Sequence, residues 1–288
     1  MLLAEFIRES VPALEKLYPS PEARGLVLML CEERLGVRSY THIVEPLFEI
    51  PEAALSGLKA DMSRLAAGEP IQYVLGYTEF CGRKFKVGPS VLIPRPETGQ
   101  LVDESLKLLA AMGRPAKVLD LCTGSGCIAW SVALGAPGVS VTATDISESA
   151  LALARSQFED VSSGANAPEF VCSDLLGGCR EICGCFDLLL SNPPYVMEKE
   201  KAAMRRNVLD HEPGIALFVP DDDPLLFYRA LASVSLRLLD SSGTGIVEIN
   251  EALGPETAAV FETAGYRKTE ILRDIFGKDR FVRFSSRV

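Results

Sequence analysis

Four consecutive residues, Asn192-Pro193-Pro194-Tyr195, have the types needed to hold a planar NH2 group. They follow the apolar run 186–191, which predicts a buried parallel strand. The prolines remove backbone donors and fix φ, so the segment presents acceptors: the Asn192 side-chain oxygen and nearby backbone carbonyls. Tyr195 adds an aromatic face on which a flat group can stack. The segment therefore indicates a site for a neutral amide or amine, although Asn-Pro also occurs in ordinary turns.

A glycine-rich turn upstream predicts a cofactor site. Residues 124–129 read Gly-Ser-Gly-Cys-Ile-Ala and fit the pattern Gly-x-Gly-x-x-Ala between a predicted strand and a predicted helix. Small residues there let the backbone approach a ligand closely. Asp145 ends the next predicted strand, where a carboxylate accepts hydrogen bonds from ribose hydroxyls. This pattern fits a dinucleotide and S-adenosylmethionine equally well.

The residues that we expect to contact the cofactor come at the ends of successive predicted strands. They are Cys122, Thr123, Gly124, Ser125, Gly126, Asp145, Asp174, Leu175 and Asn192. Asp174 fits adenine recognition or an exposed cap. A hydride-transfer enzyme usually needs a proton-handling group at this point of the sheet, whereas the segment 192–195 offers neutral acceptors. The combination favours methyl transfer to nitrogen from S-adenosylmethionine.

The elements that must position these residues fall into three stretches. Residues 1–70 show apolar positions at helical spacing and predict a small helical bundle. Residues 71–97 predict a hairpin linker with strands at 73–80 and 83–87, followed by prolines that block a helix. From 98 onward a helix is followed by alternating strands and helices, which predicts an α/β domain with an open, doubly wound, mostly parallel sheet. The predicted strands of this domain lie at 117–122, 139–146, 169–173, 186–191, 245–249, 266–273 and 280–285, and its predicted helices at 98–112, 128–134, 148–158, 223–239 and 255–264.

Charge and composition exclude some classes of protein. The chain has 288 residues, of which 48% are hydrophobic and 24% charged, and its net charge is -10. Proteins that grip nucleic-acid phosphates usually carry a basic footprint, so we expect no nucleic-acid partner. No secretion leader or membrane-spanning run is evident, so we expect a cytoplasmic protein with no membrane partner. Cys179, Cys183 and Cys185 cluster in sequence without a nearby histidine, and we expect no metal.

At this point the sequence resembles a known family. The segments 120–126 (DLCTGSG) and 192–195 (NPPY) are similar to those of seven-stranded class I S-adenosylmethionine-dependent methyltransferases that act on a planar amino or amide nitrogen. Three more segments, 70–76 (PIQYVLG), 92–98 (LIPRPET) and 274–280 (DIFGKDR), resemble the protein-(glutamine-N5) methyltransferases of peptide chain release factors. The resemblance covers nearly the whole chain.

The resemblance implies methylation of the glutamine side chain in the Gly-Gly-Gln motif of class 1 release factors, a step linked to translation termination. It implies an N-terminal, substrate-recognition domain (1–70), the linker (71–97) and a methyltransferase domain (98–288). It also implies that 122–126 wraps the methionine part of the cofactor and that Asp145 holds its ribose. Release factors would be the protein partners, and we expect a monomer.

Asn192, Pro193 and Tyr195 are the residues to which we assign catalysis, and Pro194 completes the substrate site. An amide nitrogen is a poor nucleophile because its lone pair is shared with the carbonyl. We expect the Asn192 oxygen and the Pro193 carbonyl to accept the two amide hydrogens while Tyr195 stacks on the amide plane.

Other charged residues have less definite roles. Glu248, at the end of a predicted strand, fits a structural cap better than a site residue, and Glu97 fits either a loop residue or a cofactor contact. Arg205, Arg206 and His211 fit solvated charge, with recruitment of the substrate backbone as the alternative.

Two positions depart from the family pattern and bear on closure of the substrate loop. Gly99 stands where the family usually has Glu, and 219–224 (VPDDDP) replaces a loop that is often rich in glycine.

Rival functions make different demands on the chain. An adenine-N6 methyltransferase acting on DNA or RNA would use the same four residues but would need a basic approach surface. A catalytically idle protein that holds the cofactor and docks through 1–70 would not need residues 192–195 intact. A nicotinamide-dependent oxidoreductase is a further alternative that absorbance of the nicotinamide would reveal.

Overall fold

The computed structural model describes residues 1–158 and 167–287, with side chains through Ser285. The stretch 159–166 and Val288, which belong to the predicted methyltransferase domain, lie outside the described residues. The chain divides into two compact units: Met1–Tyr77 with Met204–His211, and Thr78–Ala203 with Glu212–Val288. The sequence did not indicate that 204–211 belongs with the first unit, and the boundaries at 70 and 97 stay predictions.

The helices and strands follow the chain in this order. The helices are α1 (Leu3–Leu14), α2 (Ser20–Leu35), α3 (Thr41–Val44), α4 (Glu52–Ala66), α5 (Ile71–Leu75), α6 (Gly99–Met112), α7 (Cys127–Gly135), α8 (Glu148–Arg155), α9 (Arg206–His211), α10 (Leu226–Leu238) and α11 (Gly254–Thr263). The strands are β1 (Tyr77–Phe80), β2 (Arg83–Lys86), β3 (Lys117–Leu121), β4 (Ser140–Asp145), β5 (Glu169–Cys172), β6 (Phe186–Ser191), β7 (Val196–Met197), β8 (Phe218–Val219), β9 (Leu239–Glu248), β10 (Tyr266–Arg273) and β11 (Asp279–Arg287).

The first unit is a helical bundle built on α1, α2, α4 and α5, with α9 joining from later in the chain. Apolar side chains recur at helical spacing, as in Phe6, Ile7 and Leu14 of α1, and they pack against Val27 and Leu30 of α2. These side chains are almost completely buried and form the core of this unit.

The second unit is built on a seven-stranded sheet in the order β10-β11-β9-β6-β3-β4-β5. Strands β3, β4, β5, β6 and β9 are parallel, and β11 pairs antiparallel with both β9 and β10. This is a doubly wound, seven-stranded α/β fold, which confirms the predicted fold class. The order reverses between β3 and β6, and ligands of such sheets bind beyond the carboxyl ends of the strands at that point.

Both faces of the sheet are covered, which explains the nearly continuous apolar runs of its central strands. Val118 and Leu190 pack toward α6 and α7 in one core, while Leu119 and Leu189 pack toward α10 and α11 in the other. Burial on both faces fixes the register of β3 and β6, and thereby the position of the residues that follow each strand.

Two predicted elements were wrong in part. Residues 73–75 were assigned to a strand but lie in α5, which follows Pro70 and ends at Gly76 with φ of +87°. Ile71 and Val74, three residues apart, both enter the core of the first unit, so helical packing overrides their β-branched preference. Strand β9 begins at Leu239 rather than at residue 245, because an irregular register opposite β6 accommodates the polar stretch 240–243.

Gly245→Ala is expected to lower the free energy of unfolding by about 3 kcal/mol or more, since overpacking a tight core costs about 1–3 kcal/mol and occasionally more. A Cβ at Gly245 would lie 2.0 Å from Cζ of Phe284, which is fully buried and stacks on Phe261 at 3.9 Å between ring centroids. Urea unfolding measures the change. Gly88→Ala, where a Cβ meets no heavy atom within 4 Å, is the control. Equal stability of the two variants would contradict this packing.

Candidate active site

A cavity of about 210 Å³ lies in the second unit, at the carboxyl ends of β3, β4 and β6. Nine of the predicted site residues line it: Cys122, Thr123, Gly124, Ser125, Asp145, Asp174, Leu175, Asn192 and Pro194. Gly126, Pro193 and Tyr195 lie beside it without contributing to its lining. The fold thus brings the two predicted clusters, which are separated in sequence, to one side of one cavity.

The loop between β3 and α7 turns sharply enough to present its backbone to the cavity. Cys122 and Gly126 have φ of +61° and +78°, and the Thr123 amide donates to the Thr144 carbonyl at 2.9 Å. A Cβ at Gly126 would lie 3.0 Å from the Cβ of Ala154, so glycine is needed for close packing of the loop against α8. The loop is therefore held by β4 and α8 before any ligand binds.

Asp145, the last residue of β4, fixes the same loop through its side chain. One carboxylate oxygen accepts from the Gly124 amide at 2.8 Å, and the other accepts from the Ser147 amide at 2.9 Å. Burial raises the pKa of Asp145, and these backbone hydrogen bonds oppose that rise. Each oxygen has a further lone pair. Asp145 can therefore still accept hydrogen bonds from a ligand in the cavity.

Asp120 of β3 is completely buried beneath the loop and accepts from the Thr123 hydroxyl at 2.6 Å. Burial raises the pKa of Asp120 to about 7, although the Thr123 hydrogen bond favours the ionised form. A carboxyl group of this kind changes its charge within the physiological pH range. We did not single it out from sequence, because its position inside a strand gives no sign of burial beneath a turn.

Asp120→Asn is expected to remove a pH-dependent contribution to the free energy of unfolding. The folded pKa of Asp120 lies above its ordinary value of 3.8, so protonated Asp120 stabilises the fold, and this contribution is lost as the pH rises toward about 7. The stability of the variant relative to the wild type should therefore rise by up to about 4 kcal/mol between about pH 4 and pH 8.

Urea unfolding of the cofactor-free protein at several pH values measures this difference. Asp103→Asn, at an exposed position of α6, is the control for the loss of one carboxylate. A flat difference for Asp120→Asn would show that Asp120 is ionised in the folded protein throughout the range.

Asn192 follows β6 directly, and a hydrogen bond to another side chain fixes its amide. Its Nδ2 donates to the Thr98 hydroxyl oxygen at 3.3 Å. Ser191, just before it, donates its hydroxyl to the Leu121 carbonyl at 2.8 Å and ties the strand end to β3. With one N–H of Nδ2 donated to Thr98, the orientation of the amide is set, and Oδ1 can accept from a ligand in the cavity.

Tyr195 is tied down at both its side chain and its backbone. Its hydroxyl donates to Glu248 at 3.0 Å, its amide donates to the Leu217 carbonyl at 3.2 Å, and its carbonyl accepts from Asn250 at 3.2 Å. Burial and the neighbouring Glu248 carboxylate raise the pKa of Tyr195 well above its usual value, so it remains a phenol that donates. The ring is therefore fixed in orientation, while its stacking on a substrate amide stays a prediction.

Glu248 ends β9 and is 1% exposed. Besides Tyr195, it accepts from the Thr98 hydroxyl at 2.7 Å. Thr98 itself lines the cavity and is 2% exposed. Sequence reasoning favoured a cap role for Glu248 and did not single out Thr98, although Thr98 closes the segment 92–98 that carries part of the family resemblance.

An ion pair with a buried carboxylate, also missed from sequence, connects two segments at the rim of the cavity. Glu212 accepts from Arg95 at 2.7 Å and from the Ile93 amide at 3.0 Å. Its side chain is 1% exposed, so both of its oxygens are satisfied away from water. The pair joins the segment around Ile93 to the segment that begins at Pro213, and residues of both segments line the cavity.

The remaining charged candidates lie away from the cavity lining. Glu97 is partly exposed and outside the lining, and Gly99 begins α6. Arg205 pairs with Glu22 at 2.6 Å and belongs to the first unit, as do Arg206 and His211. Their charge is thus partly used within that unit, and recruitment of a substrate backbone stays untested.

The replaced loop also lies apart from the lining. In 219–224, Asp221 accepts from the Lys199 amide at 2.9 Å and Asp223 pairs with Arg229. Asp221 and Asp223 thus have local partners, and the effect of this loop on substrate closure stays a prediction.

Within 1–158 and 167–287, no His, Cys, Asp or Glu residues cluster in threes or more in a way that could hold a metal ion. No helix among these residues is both long and apolar enough to span a bilayer.

Comparisons with known proteins agree with this fold. Residues 99–211 match the family described as Methyltransferase small domain, and residues 5–76 match the PrmC N-terminal domain. The chain is similar to the release factor glutamine methyltransferase of Bacteroides thetaiotaomicron, with 41% identity over 97% of this chain and 98% of the relative. It is 35% identical to the enzyme of the same name from Flavobacterium psychrophilum, over the full length of both chains.

A solved structure supports the fold alone. The 16S rRNA N2 G1207 methyltransferase of T. thermophilus superposes with a TM-score of 0.50 at 15% identity, over 73% of this chain and 50% of that one. The sheet, the switch-point cavity and the matched domains define a methyltransferase. The chain belongs to the release factor glutamine methyltransferase family.

Proposed function

We propose that the protein transfers a methyl group from S-adenosylmethionine to the side-chain nitrogen (N5) of the glutamine in the Gly-Gly-Gln motif of class 1 peptide chain release factors. The observation that carries the proposal is the placement of Asn192 beside the glycine-rich loop on one cavity, in a chain of this family. Because translation takes place in the cytoplasm, the proposal implies a cytoplasmic enzyme.

The residues present fit S-adenosylmethionine. The carboxylate oxygens of Asp145 have further lone pairs that can accept from ribose hydroxyls. The loop 122–126 presents backbone groups to the cavity at the carboxyl end of β3. Leu175 and the half-exposed Ile146 give the lining apolar surfaces suited to a flat ring such as adenine. Asp174 and Leu175 would lie nearest that ring. The bound cofactor would supply an electrophilic methyl group and would leave as S-adenosylhomocysteine.

The chain's own residues would orient the acceptor. The Asn192 oxygen and the Pro193 carbonyl accept the two N–H bonds of the glutamine amide, which fixes the nitrogen and raises its electron density. Pro194 lines the cavity, and Tyr195 supplies the aromatic face. No general base is needed before transfer, because the proton can leave to water afterwards. Positioning of this kind accounts for several kcal/mol of a barrier.

The helical unit would recognise the release factor away from the reacting glutamine. The acidic balance of the chain, with a net charge of -10, favours a protein over a nucleic acid as the substrate.

The test is transfer of a labelled methyl group from S-adenosylmethionine to a purified class 1 release factor. The same factor with its Gly-Gly-Gln glutamine replaced, unmethylated DNA and unmethylated RNA are the parallel substrates. We expect label on the intact factor alone. Label on nucleic acid alone would move the assignment to adenine-N6 methylation, and cofactor binding without any transfer would favour the idle binding protein.

A further inference from the structure

Four side chains from three parts of the second unit form a continuous hydrogen-bonded chain. Asn192 contacts Thr98 at 3.3 Å, Thr98 contacts one oxygen of Glu248 at 2.7 Å, and Tyr195 contacts the other oxygen at 3.0 Å. The two middle members, Thr98 and Glu248, are 2% and 1% exposed. Water therefore does not compete for these bonds, and protein groups alone satisfy them.

The direction of each hydrogen bond in this chain follows from counting donors. An ionised carboxylate only accepts, so the hydroxyls of Thr98 and Tyr195 both donate to Glu248. A hydroxyl has a single proton, so the Thr98 oxygen can only accept from its remaining partner, Asn192. Of the two amide atoms of Asn192, only Nδ2 can donate. A reversed amide would set its Oδ1 against an oxygen that has no proton left to give.

We propose that Glu248, acting through Thr98, fixes the side-chain amide of Asn192 so that its oxygen serves the substrate, and so selects glutamine over glutamate. Thr98 and Glu248 are positioning residues in this view. The inference rests on the proposed function, because it concerns the amide that Asn192 is proposed to hold. An oxygen at that place accepts from the NH2 of glutamine, whereas it repels the carboxylate of glutamate, which has no proton to donate.

The hydrogen-bond directions given above require Glu248 to be ionised, and the neighbouring charged groups affect its pKa. Burial raises the pKa of Glu248, and Glu97 raises it further. The Thr98 and Tyr195 hydroxyls and the Arg280 guanidinium lower it. Arg280 is itself paired with Asp274 at 3.0 Å, and the Tyr228 hydroxyl donates to the Glu248 backbone carbonyl at 3.2 Å. A cation and two donated hydroxyls thus oppose the effect of burial, which still leaves the pKa of Glu248 above its ordinary value.

The test compares variants of Thr98 on the full chain, with intact release factor and S-adenosylmethionine. Thr98→Val keeps the shape and removes the hydroxyl, whereas Thr98→Ser keeps the hydroxyl. Thr98→Ala makes the same deletion in a smaller side chain, in case Thr98→Val does not fold. Ser105→Ala on α6 is the matched control, because it removes a buried hydroxyl that donates to the Leu101 carbonyl at 2.6 Å within its own helix.

The readouts are kcat, KM, the affinity for S-adenosylmethionine and the binding preference for the natural factor over a factor with glutamate in place of its glutamine. For Thr98→Val and Thr98→Ala we expect kcat to fall about 10- to 100-fold, as when a buried hydrogen-bond partner is lost. We expect the preference for glutamine over glutamate to narrow about tenfold, since the amide of Asn192 can then turn. Thr98→Ser should recover most of both losses, and Ser105→Ala should behave as the wild type.

The outcomes separate this inference from the proposed function. If the wild type does not label the release factor, the proposed function fails and the inference fails with it. If the wild type labels the factor but Thr98→Val and Thr98→Ala keep its rate and its preference for glutamine, only the inference is overturned. A loss of rate that leaves the glutamine preference intact, or that matches an equal loss of cofactor affinity, would also overturn it, because either pattern marks a merely structural role.

Discussion

Asn192→Ala is expected to lower turnover by about 100-fold or more, while the affinity for S-adenosylmethionine changes far less. The side chain follows β6 on the wall of the cavity, and its Nδ2 is already used by Thr98 at 3.3 Å. Alanine removes the oxygen that is proposed to hold the glutamine amide. It also leaves the loop 122–126 and Asp145 unchanged, and these carry most of the other proposed cofactor contacts.

Single-turnover transfer at saturating cofactor, together with cofactor binding by calorimetry, measures the two effects separately. Asn207→Ala on α9, in the other unit, is the matched control. A turnover within about tenfold of the wild type, equivalent to only about 1.4 kcal/mol, would show that Asn192 does not have the role assigned to it.

Asp145→Ala is expected to produce the opposite pattern, with cofactor affinity falling by about 100-fold or more and turnover at saturation affected less. The carboxylate is proposed to accept hydrogen bonds from ribose, and bonds to a charged group contribute about 1.5–3 kcal/mol each. It also anchors the Gly124 amide at 2.8 Å and the Ser147 amide at 2.9 Å, so the loop loses its support in the variant.

The measurement is again calorimetric binding, followed by turnover at a cofactor concentration raised to saturate the variant. Asp103→Ala, at an exposed position of α6, controls for the loss of one negative charge. If affinity stayed within about tenfold of the wild type, Asp145 would hold the loop without contacting ribose. Together the two variants separate the acceptor side of the cavity from the cofactor side.

Local sequence patterns were enough to predict the sheet of the second unit. The apolar runs at β3 and β6 are buried on both faces, and such runs are readable without knowing their partners. The turns that follow β3 and β6 were also predictable, because glycine permits a positive φ, as at Gly126 with φ of +78°, and proline fixes φ. These patterns placed the two predicted clusters beyond the ends of parallel strands, and parallel strands end at the same edge of a sheet.

Local sequence patterns gave a wrong prediction, or none, where packing against residues distant in sequence determined the structure. Residues 73–75 have strand-like composition, yet they are helical because Ile71 and Val74 bury in the bundle of the first unit. Residues 204–211 join that unit although the second unit precedes and follows them in sequence.

The sequence by itself therefore determined the class of fold, the edge of the sheet at which the cavity lies and the residue types that are proposed to meet a cofactor and an amide. These features depend on neighbours within a few residues, through backbone restriction and the periodicity of burial. Only the tertiary structure decided which way Asn192 faces. Its amide is oriented by Thr98, 94 residues away, and Thr98 is oriented by Glu248, 150 residues further on, so these contacts exist only once the sheet has formed.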